Sequence, residues 1–168
     1  MDQLKMQADI AHNERVAGVL VFLLEKLKDK NFNWVLVGST NLFIQGVSVA
    51  AKDIDIVSTK EDILKIEEIF KTYSLKKIVY SESEKYRSWF GRLIIDNIQV
   101  DLMAELEYKD PDNNWLKSTS IESKEIITFK EYKVPVNPFE NELLFYKKMN
   151  RENDKLKVKL IEEFKKMK

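Results

Sequence analysis

Cysteine is absent from this chain of 168 residues, and there is one histidine, His12. The first absence removes disulfides, thiol nucleophiles and thiolate-bound zinc. The second nearly excludes a His-centred triad or a multi-histidine metal site. Any metal must therefore be a hard ion on oxygen ligands, with Mg²⁺ the natural candidate. An excess of one charge is also missing. Twenty-eight basic and 28 acidic residues cancel, so the overall balance does not announce a nucleic-acid binder. The longest apolar run, Val19–Leu24, is far short of a membrane span. The opening residues are polar and mixed in charge, unlike a signal peptide. The expectation is a cytoplasmic protein with no membrane contact. At 44% hydrophobic and 33% charged, the composition is that of a globular chain, and its length suits one domain.

Hydrophobic spacing predicts a helix over 3–29, with Val16, Val19, Leu20, Leu23, Leu24 and Leu27 on its apolar side. "NFNWVLVG" reads as a strand ending at Gly38. Ser39 or Thr40 is placed to cap a short helix closed by Gly46. "DIDIV" reads as a second strand. Ser58 or Thr59 then caps a helix whose Ile63, Ile66, Ile69 and Phe70 share one face. "LKKIVYS" is a third strand. "SWFGRLIIDNIQVDLMAEL" is a hairpin about Asp96-Asn97, and a further β pair is centred on Lys130-Glu131. Two helices follow, over 139–149 and 154–166. The expected architecture is α+β: an N-terminal helix in 1–30, an α/β core in 33–136 with a mixed sheet flanked by helices, and C-terminal helices in 139–168.

Chemistry concentrates in "GSTNLFIQGVSVAAKDIDIV". On a strand, residues i and i+2 face the same way, roughly 6.5–7 Å apart. Asp53 and Asp55 therefore project together while Ile54 and Ile56 face the core. Two adjacent carboxylates repel, and a divalent cation between them relieves the repulsion. The Gly38-Ser39 turn permits close backbone approach, and the helix after it offers N–H groups to an anion. A phosphate cradle and a metal pair on adjacent strands of one β-α-β unit point to metal-assisted phosphoryl or nucleotidyl chemistry. Asp101, alternating with Val100 and Leu102, supplies a third carboxylate if its strand lies beside the Asp53/Asp55 strand. Glycosyltransferases also use an Asp-x-Asp pair, but the preceding Gly-Ser turn and the third Asp favour nucleotidyl transfer. The sequence argues against a P-loop, since "GSTNLFIQG" lacks the Gly-Lys-Ser/Thr ending.

Gly38-Ser39, a gap of thirteen residues, Asp53-Ile54-Asp55 and a later Asp101 resemble the DNA polymerase β-like nucleotidyltransferase superfamily. "NPFENELLFYKKMNREND" is similar to an element of its minimal stand-alone members, the antibiotic nucleotidyltransferases and abortive-infection toxins. The matching residues are Glu140 or Glu142, Leu143, Leu144, Lys147, Arg151 and Asp154. The resemblance implies transfer of a nucleoside monophosphate from an NTP to an acceptor hydroxyl, with release of pyrophosphate. It further implies that Asp53, Asp55 and Asp101 are the catalytic carboxylates and bind two Mg²⁺, with Asp101 also the base. Gly38 and Ser39 would hold the phosphates, with Lys147 or Arg151 neutralising them. The acceptor, a small molecule, protein or RNA, is left open, as is a partner subunit or homo-oligomer. The alternative is a non-catalytic nucleotide-binding or regulatory module, such as a toxin–antitoxin component.

Elsewhere, Trp89, Phe90 and Arg92 are candidates for stacking on a nucleobase, and Lys85, Arg87 and Arg92 for meeting phosphate. The basic stretch from Lys147 to Lys168 reads as a solvated helix face, with an RNA surface as the minority reading.

Overall fold

The computed structural model describes residues 2–168. The first helix, α1 (Gln3–Leu27), starts where the Asp2 side chain accepts the Leu4 N–H, 3.1 Å away. Its second half buries Val16, Val19, Leu20, Leu23, Leu24 and Leu27. Its first half projects with Leu4 and Ile10 exposed. Then come β1 (Trp34–Val37), α2 (Gly38–Ile44), β2 (Ile54–Ser58) and α3 (Lys60–Ile69). Strands β3 (Ser74–Glu82), β4 (Tyr86–Ile95) and β5 (Ile98–Lys109) follow. The chain continues through β6 (Trp115–Lys117), α4 (Ser120–Ser123), β7 (Glu125–Phe129) and β8 (Tyr132–Val136), and closes with α5 (Phe139–Met149) and α6 (Glu152–Lys166). Short β6 and α4 carry too little periodicity to be read from sequence. No described helix is long and apolar enough to cross a membrane.

The strands form one mixed sheet in the order β3-β4-β5-β2-β1-β8-β7, with β6 on the far end of β5. Strands β2 and β5 are parallel, as are β1 and β8. Strands β1 and β2 are neighbours, as expected, but antiparallel. The seven-residue α2 is therefore a corner between them and not a crossover helix. Apolar side chains of α1 and α3 join Ile54, Ile56, Val100 and Leu102 in the main core. Helices α5 and α6 pack on α2 through a smaller cluster of Leu42, Val47, Tyr146 and Ile161.

Both hairpin turns fall where expected and use two successive residues at positive φ. These are Asp96 and Asn97 at 48° and 61°, and Lys130 and Glu131 at 44° and 74°. That geometry matches the right-handed strand twist even without glycine. Thr59, not Ser58, caps α3: its hydroxyl accepts the Asp62 N–H at 3.2 Å, while Ser58 ends β2 and donates to the Asn33 carbonyl. Neither Ser39 nor Thr40 caps α2. The helix starts at Gly38, with Val37 in the cap position, and both hydroxyls serve the 51–53 segment.

One irregularity shapes the cleft. Glu105 sits at φ 53°, and the β4/β5 register slips between Arg87↔Glu107 and Trp89↔Ala104. A bulge of this kind re-aims the residues after it. Before it, Asp101 and Met103 line the cleft; after it, Leu106 and Tyr108 do.

Candidate active site

A cleft of about 460 Å³ lies between β2, β5 and β4 and the helical pair α5/α6. Register builds its floor. Val37 pairs with Asp55, Asp55 with Asp101, and Asp101 with Arg92, so one row crosses four strands. The expected strand adjacency is present, and Asp53, Asp55 and Asp101 all line the cleft. Asp53 immediately precedes β2.

The carboxylates occupy different environments. Burial, then the charges of Asp101, Asp53 and Glu142, push Asp55 up to about 7. Asp53 is raised by burial and by Asp101. Asp101 is gripped by Arg92, Nε to Oδ1 at 2.7 Å and Nη2 to Oδ2 at 3.2 Å. The Gln99 amide ties two of the acids together, donating to Asp53 Oδ2 at 3.2 Å and Asp101 Oδ2 at 3.3 Å. Among the described residues, no three acidic or histidine side chains are drawn into metal-binding geometry. The grip of Arg92 and Gln99 on Asp101 accounts for this physically. The donors nevertheless suit a hard cation: they are oxygens, they converge on one cleft, and the like charges that raise Asp53 and Asp55 are what bound positive charge would relieve.

Gly38 is required here twice over. Its φ is +79°, and a Cβ would meet Asp55 Oδ2 at 2.7 Å. Its N–H is not free as anticipated. It donates to Glu142 Oε1 at 2.9 Å, and Asn41 Nδ2 donates to the same oxygen at 2.8 Å. Glu142 is buried, and burial raises its pKa. It is thus the member of the Glu140/Glu142 alternative that reaches the site; Glu140 pairs outside with Lys165. Ser39 lines the cleft, its hydroxyl accepting the Lys52 N–H at 3.0 Å.

The expected cations are only half present. Lys147 is exposed and paired with Glu162 at 3.0 Å, away from the cleft lining. The turn of α5 that brings Glu142 and Tyr146 inward sends Lys147 toward α6. Arg151 does line the cleft, but its guanidinium forks onto buried Asp154 at 2.6 and 3.0 Å and donates to the Tyr86 hydroxyl at 2.9 Å. Lys52 and Lys157 also line the cleft and were missed by sequence reasoning. Burial pushes the Lys157 ammonium pKa down, and its charge sits 4.9 Å from the Tyr146 ring centre. A signal existed: Lys157 follows Asp154 by one helical step of three, on the face that α6 turns inward.

The stacking candidates divide. Phe90 lines the cleft. Trp89 faces elsewhere, with Lys60 3.9 Å from its ring centre and its indole N–H on Glu105. Arg87 pairs with Glu107 at 2.7 Å, and Lys85 borders a separate depression. Of the basic C-terminal stretch, Lys147, Lys155 and Lys165 are held in ion pairs, which supports a solvated helix face over an RNA surface.

Comparisons with known proteins accord with this geometry. The family model for aminoglycoside-2''-adenylyltransferase matches residues 19–161. A candidate nucleotidyltransferase from Thermotoga maritima is similar at 32% identity over 89% of this chain and 92% of its own, with a TM-score of 0.72. The antibiotic-resistance factor ANT(2'')-Ia shares the fold at 12–13% identity. Its structure in complex with adenylyl-2''-tobramycin covers 78% of this chain and 74% of its own, with a TM-score of 0.50. Its solution structure covers 80% and 71%, with a TM-score of 0.53. A search of curated proteins finds no match. With the family model spanning most of its length and the Thermotoga protein similar along nearly all of it, the chain belongs to the aminoglycoside-2''-adenylyltransferase family and is a nucleotidyltransferase.

Proposed function

We propose that the protein transfers a nucleoside monophosphate from a Mg²⁺-bound NTP to an acceptor hydroxyl. The observation that carries this is the parallel β2/β5 register, which sets Asp55 opposite Asp101 beside the Gly38 turn. Asp53, Asp55 and Asp101 would hold the cation, two ions where both are bound, and Mg²⁺ would supply charge stabilisation at the transferring and leaving oxygens. The acceptor oxygen attacks the α-phosphorus, the bond to the β-phosphate breaks, and Asp101 takes the hydroxyl proton. Ser39, Lys52, Arg151 and Lys157 border the path of the triphosphate, with Lys157 taking the role the sequence had assigned to Lys147. The cytoplasm, where NTPs are supplied, is the fitting compartment.

The acceptor's character follows from the rest of the lining. Beyond Asp101 the cleft presents Phe90, Leu106, Tyr108 and Phe145 with Ser118, Ser120 and Lys117. Its four acidic residues are Asp53, Asp55, Asp101 and Glu142, and each already serves the carboxylate centre or Gly38. A neutral or anionic hydroxyl compound suits this lining, which has no spare acid to pair with a cationic acceptor.

Incubation with α-labelled NTPs, Mg²⁺ and cell extract tests the reaction. The wild type should label an acceptor and release pyrophosphate, and Asp101→Asn should do neither. Full labelling by Asp101→Asn would remove its assignment as ligand and base. NTP binding with no pyrophosphate release on any acceptor would reduce the protein to a binding module.

A further inference from the structure

Arg92 is the fourth member of the row that begins Val37–Asp55–Asp101. It lies directly across the antiparallel β4/β5 pair from Asp101, and its fork places one donor on each carboxylate oxygen. Gln99 adds a second donor to Oδ2. The pair is not a surface ornament: Asp101 retains 14% of its side-chain exposure and Arg92 32%. The guanidinium also lies 5.3 Å from the centre of the Phe90 ring, and Phe90 lines the cleft. Its two-pronged edge is engaged by the carboxylate while its charge lies near an aromatic ring, which a lysine at this position would not reproduce.

This arrangement places a fixed positive charge where a cation would otherwise bind. A carboxylate has about four lone-pair sites, so donors on both oxygens leave a metal fewer directions of approach. The nearby guanidinium charge opposes a second cation over the same few ångströms.

We propose that Arg92 is a resident counter-ion, a positioning residue that stands in for the divalent cation at Asp101 and yields part of that carboxylate when a metal arrives with its nucleotide. The inference rests on the metal-dependent reading above. It gives Arg92 two effects of opposite sign. Without metal, it neutralises a cluster of three acids and holds the Asp101 rotamer. Toward free metal, it lowers affinity, so the site fills when the phosphate oxygens of an NTP add ligands and not before. The two Asp101 oxygens and the Arg92 fork thus make the availability of the third carboxylate conditional on substrate.

Mn²⁺ titrations followed by electron paramagnetic resonance test this directly, on the full chain and without nucleotide. Arg92→Met should bind Mn²⁺ about tenfold more tightly than the wild type. Arg92→Lys keeps the charge and loses the fork, and should fall between them. With a non-hydrolysable NTP analogue present, the three affinities should converge. In thermal melts without metal, Arg92→Met should unfold at a lower temperature than the wild type, and saturating Mn²⁺ should raise its Tm by more than it raises the wild type's. Should Arg92→Met fail to fold, the Arg92→Lys affinity decides alone. Mn²⁺ affinity that is unchanged or weaker in the variants overturns the counter-ion role while leaving nucleotidyl transfer intact. Absence of Mn²⁺ binding by the wild type, with or without the NTP analogue, overturns the metal-dependent reading and this inference with it.

Discussion

The sheet wall and the helical wall of the cleft handle charge differently. On the sheet, Asp55 and Asp101 are held at fixed register positions, one unpaired and driven to about 7, the other clamped by Arg92. On the helices, Arg151 is spent largely on Asp154, Lys147 on Glu162, and Lys157 lies half-buried in the cleft wall. The strand carboxylates crowd like charges together and raise the free energy of the metal-free site. Arg151 and Lys147 are neutralised within the helical layer. The sheet therefore supplies the reactive, strained half of the cleft, and the helices supply a fitted wall with one uncommitted ammonium. Each prediction below alters one wall and leaves the other as its control.

The largest effect is expected on the sheet wall. Asp55→Asn removes a central oxygen ligand and should cut pyrophosphate release by at least about 10³-fold, since charge stabilisation by a bound cation is worth several kcal/mol. The same variant should melt no lower than the wild type without metal, because a charge repelled by Asp53, Asp101 and Glu142 has been removed. A coincident collapse in Tm would show that Asp55 is structural.

Asp55 also predicts a pH dependence of stability. Its folded-state pKa, about 7, lies above the ordinary aspartate value of 3.8, so the folded state binds its proton more tightly than the unfolded state does. Its contribution to stability is fully present below about pH 4, declines as pH rises, and is lost above about pH 7. The loss is at most about 4 kcal/mol, from about 1.4 kcal/mol per pKa unit. Metal-free Tm should fall across that window in the wild type, beyond whatever Asp53 and Glu142 contribute. The fall should be smaller in Asp55→Asn. Identical slopes would mean that the Asp55 charge is relieved in some other way.

The same contrast explains how much the sequence disclosed. Asp53, Asp55 and Asp101 were legible because strand alternation fixes the side each residue faces, and register carries that order across the sheet. The I′ turns at Asp96-Asn97 and Lys130-Glu131 were legible because apolar alternation resumes on both sides of each. Lys147 was misplaced because a long helical side chain finds its partner in tertiary packing, and Glu162 lies on a different helix. Glu105 gave no sign of its positive φ, so the bulge that turns Leu106 and Tyr108 into the cleft could not be foreseen. Arg92 looked available for a base or a phosphate because its cross-strand partner is nine residues away, beyond a turn.

On the helical wall, Lys157→Met should raise the KM for NTP by about 10- to 100-fold, the range for losing a charged hydrogen-bond donor. Lys147→Met should leave KM within twofold, since an exposed ion pair is worth at most about 1 kcal/mol and does not face the cleft. Steady-state kinetics on the two variants side by side would reverse the assignment if Lys147 proved the more costly.

The smallest effect expected at a cleft residue is that of Glu142→Gln, where the two walls meet. This carboxylate leaves α5 to accept the Gly38 N–H and the Asn41 amide, and so ties the helical wall to the turn beside Asp55. Burial raises its pKa, so the charge itself is a cost. Glu142→Gln keeps an acceptor oxygen for Gly38 and removes that charge; at pH 8 its Tm should match or slightly exceed the wild type's. Glu142→Ala leaves the part-buried Gly38 N–H without this acceptor, while the Asn41 amide still donates to the Asn137 carbonyl at 2.8 Å, and should cost about 1–3 kcal/mol in denaturant unfolding. If the glutamine variant is as unstable as the alanine one, the negative charge, and not the hydrogen bond to Gly38, is what joins the walls.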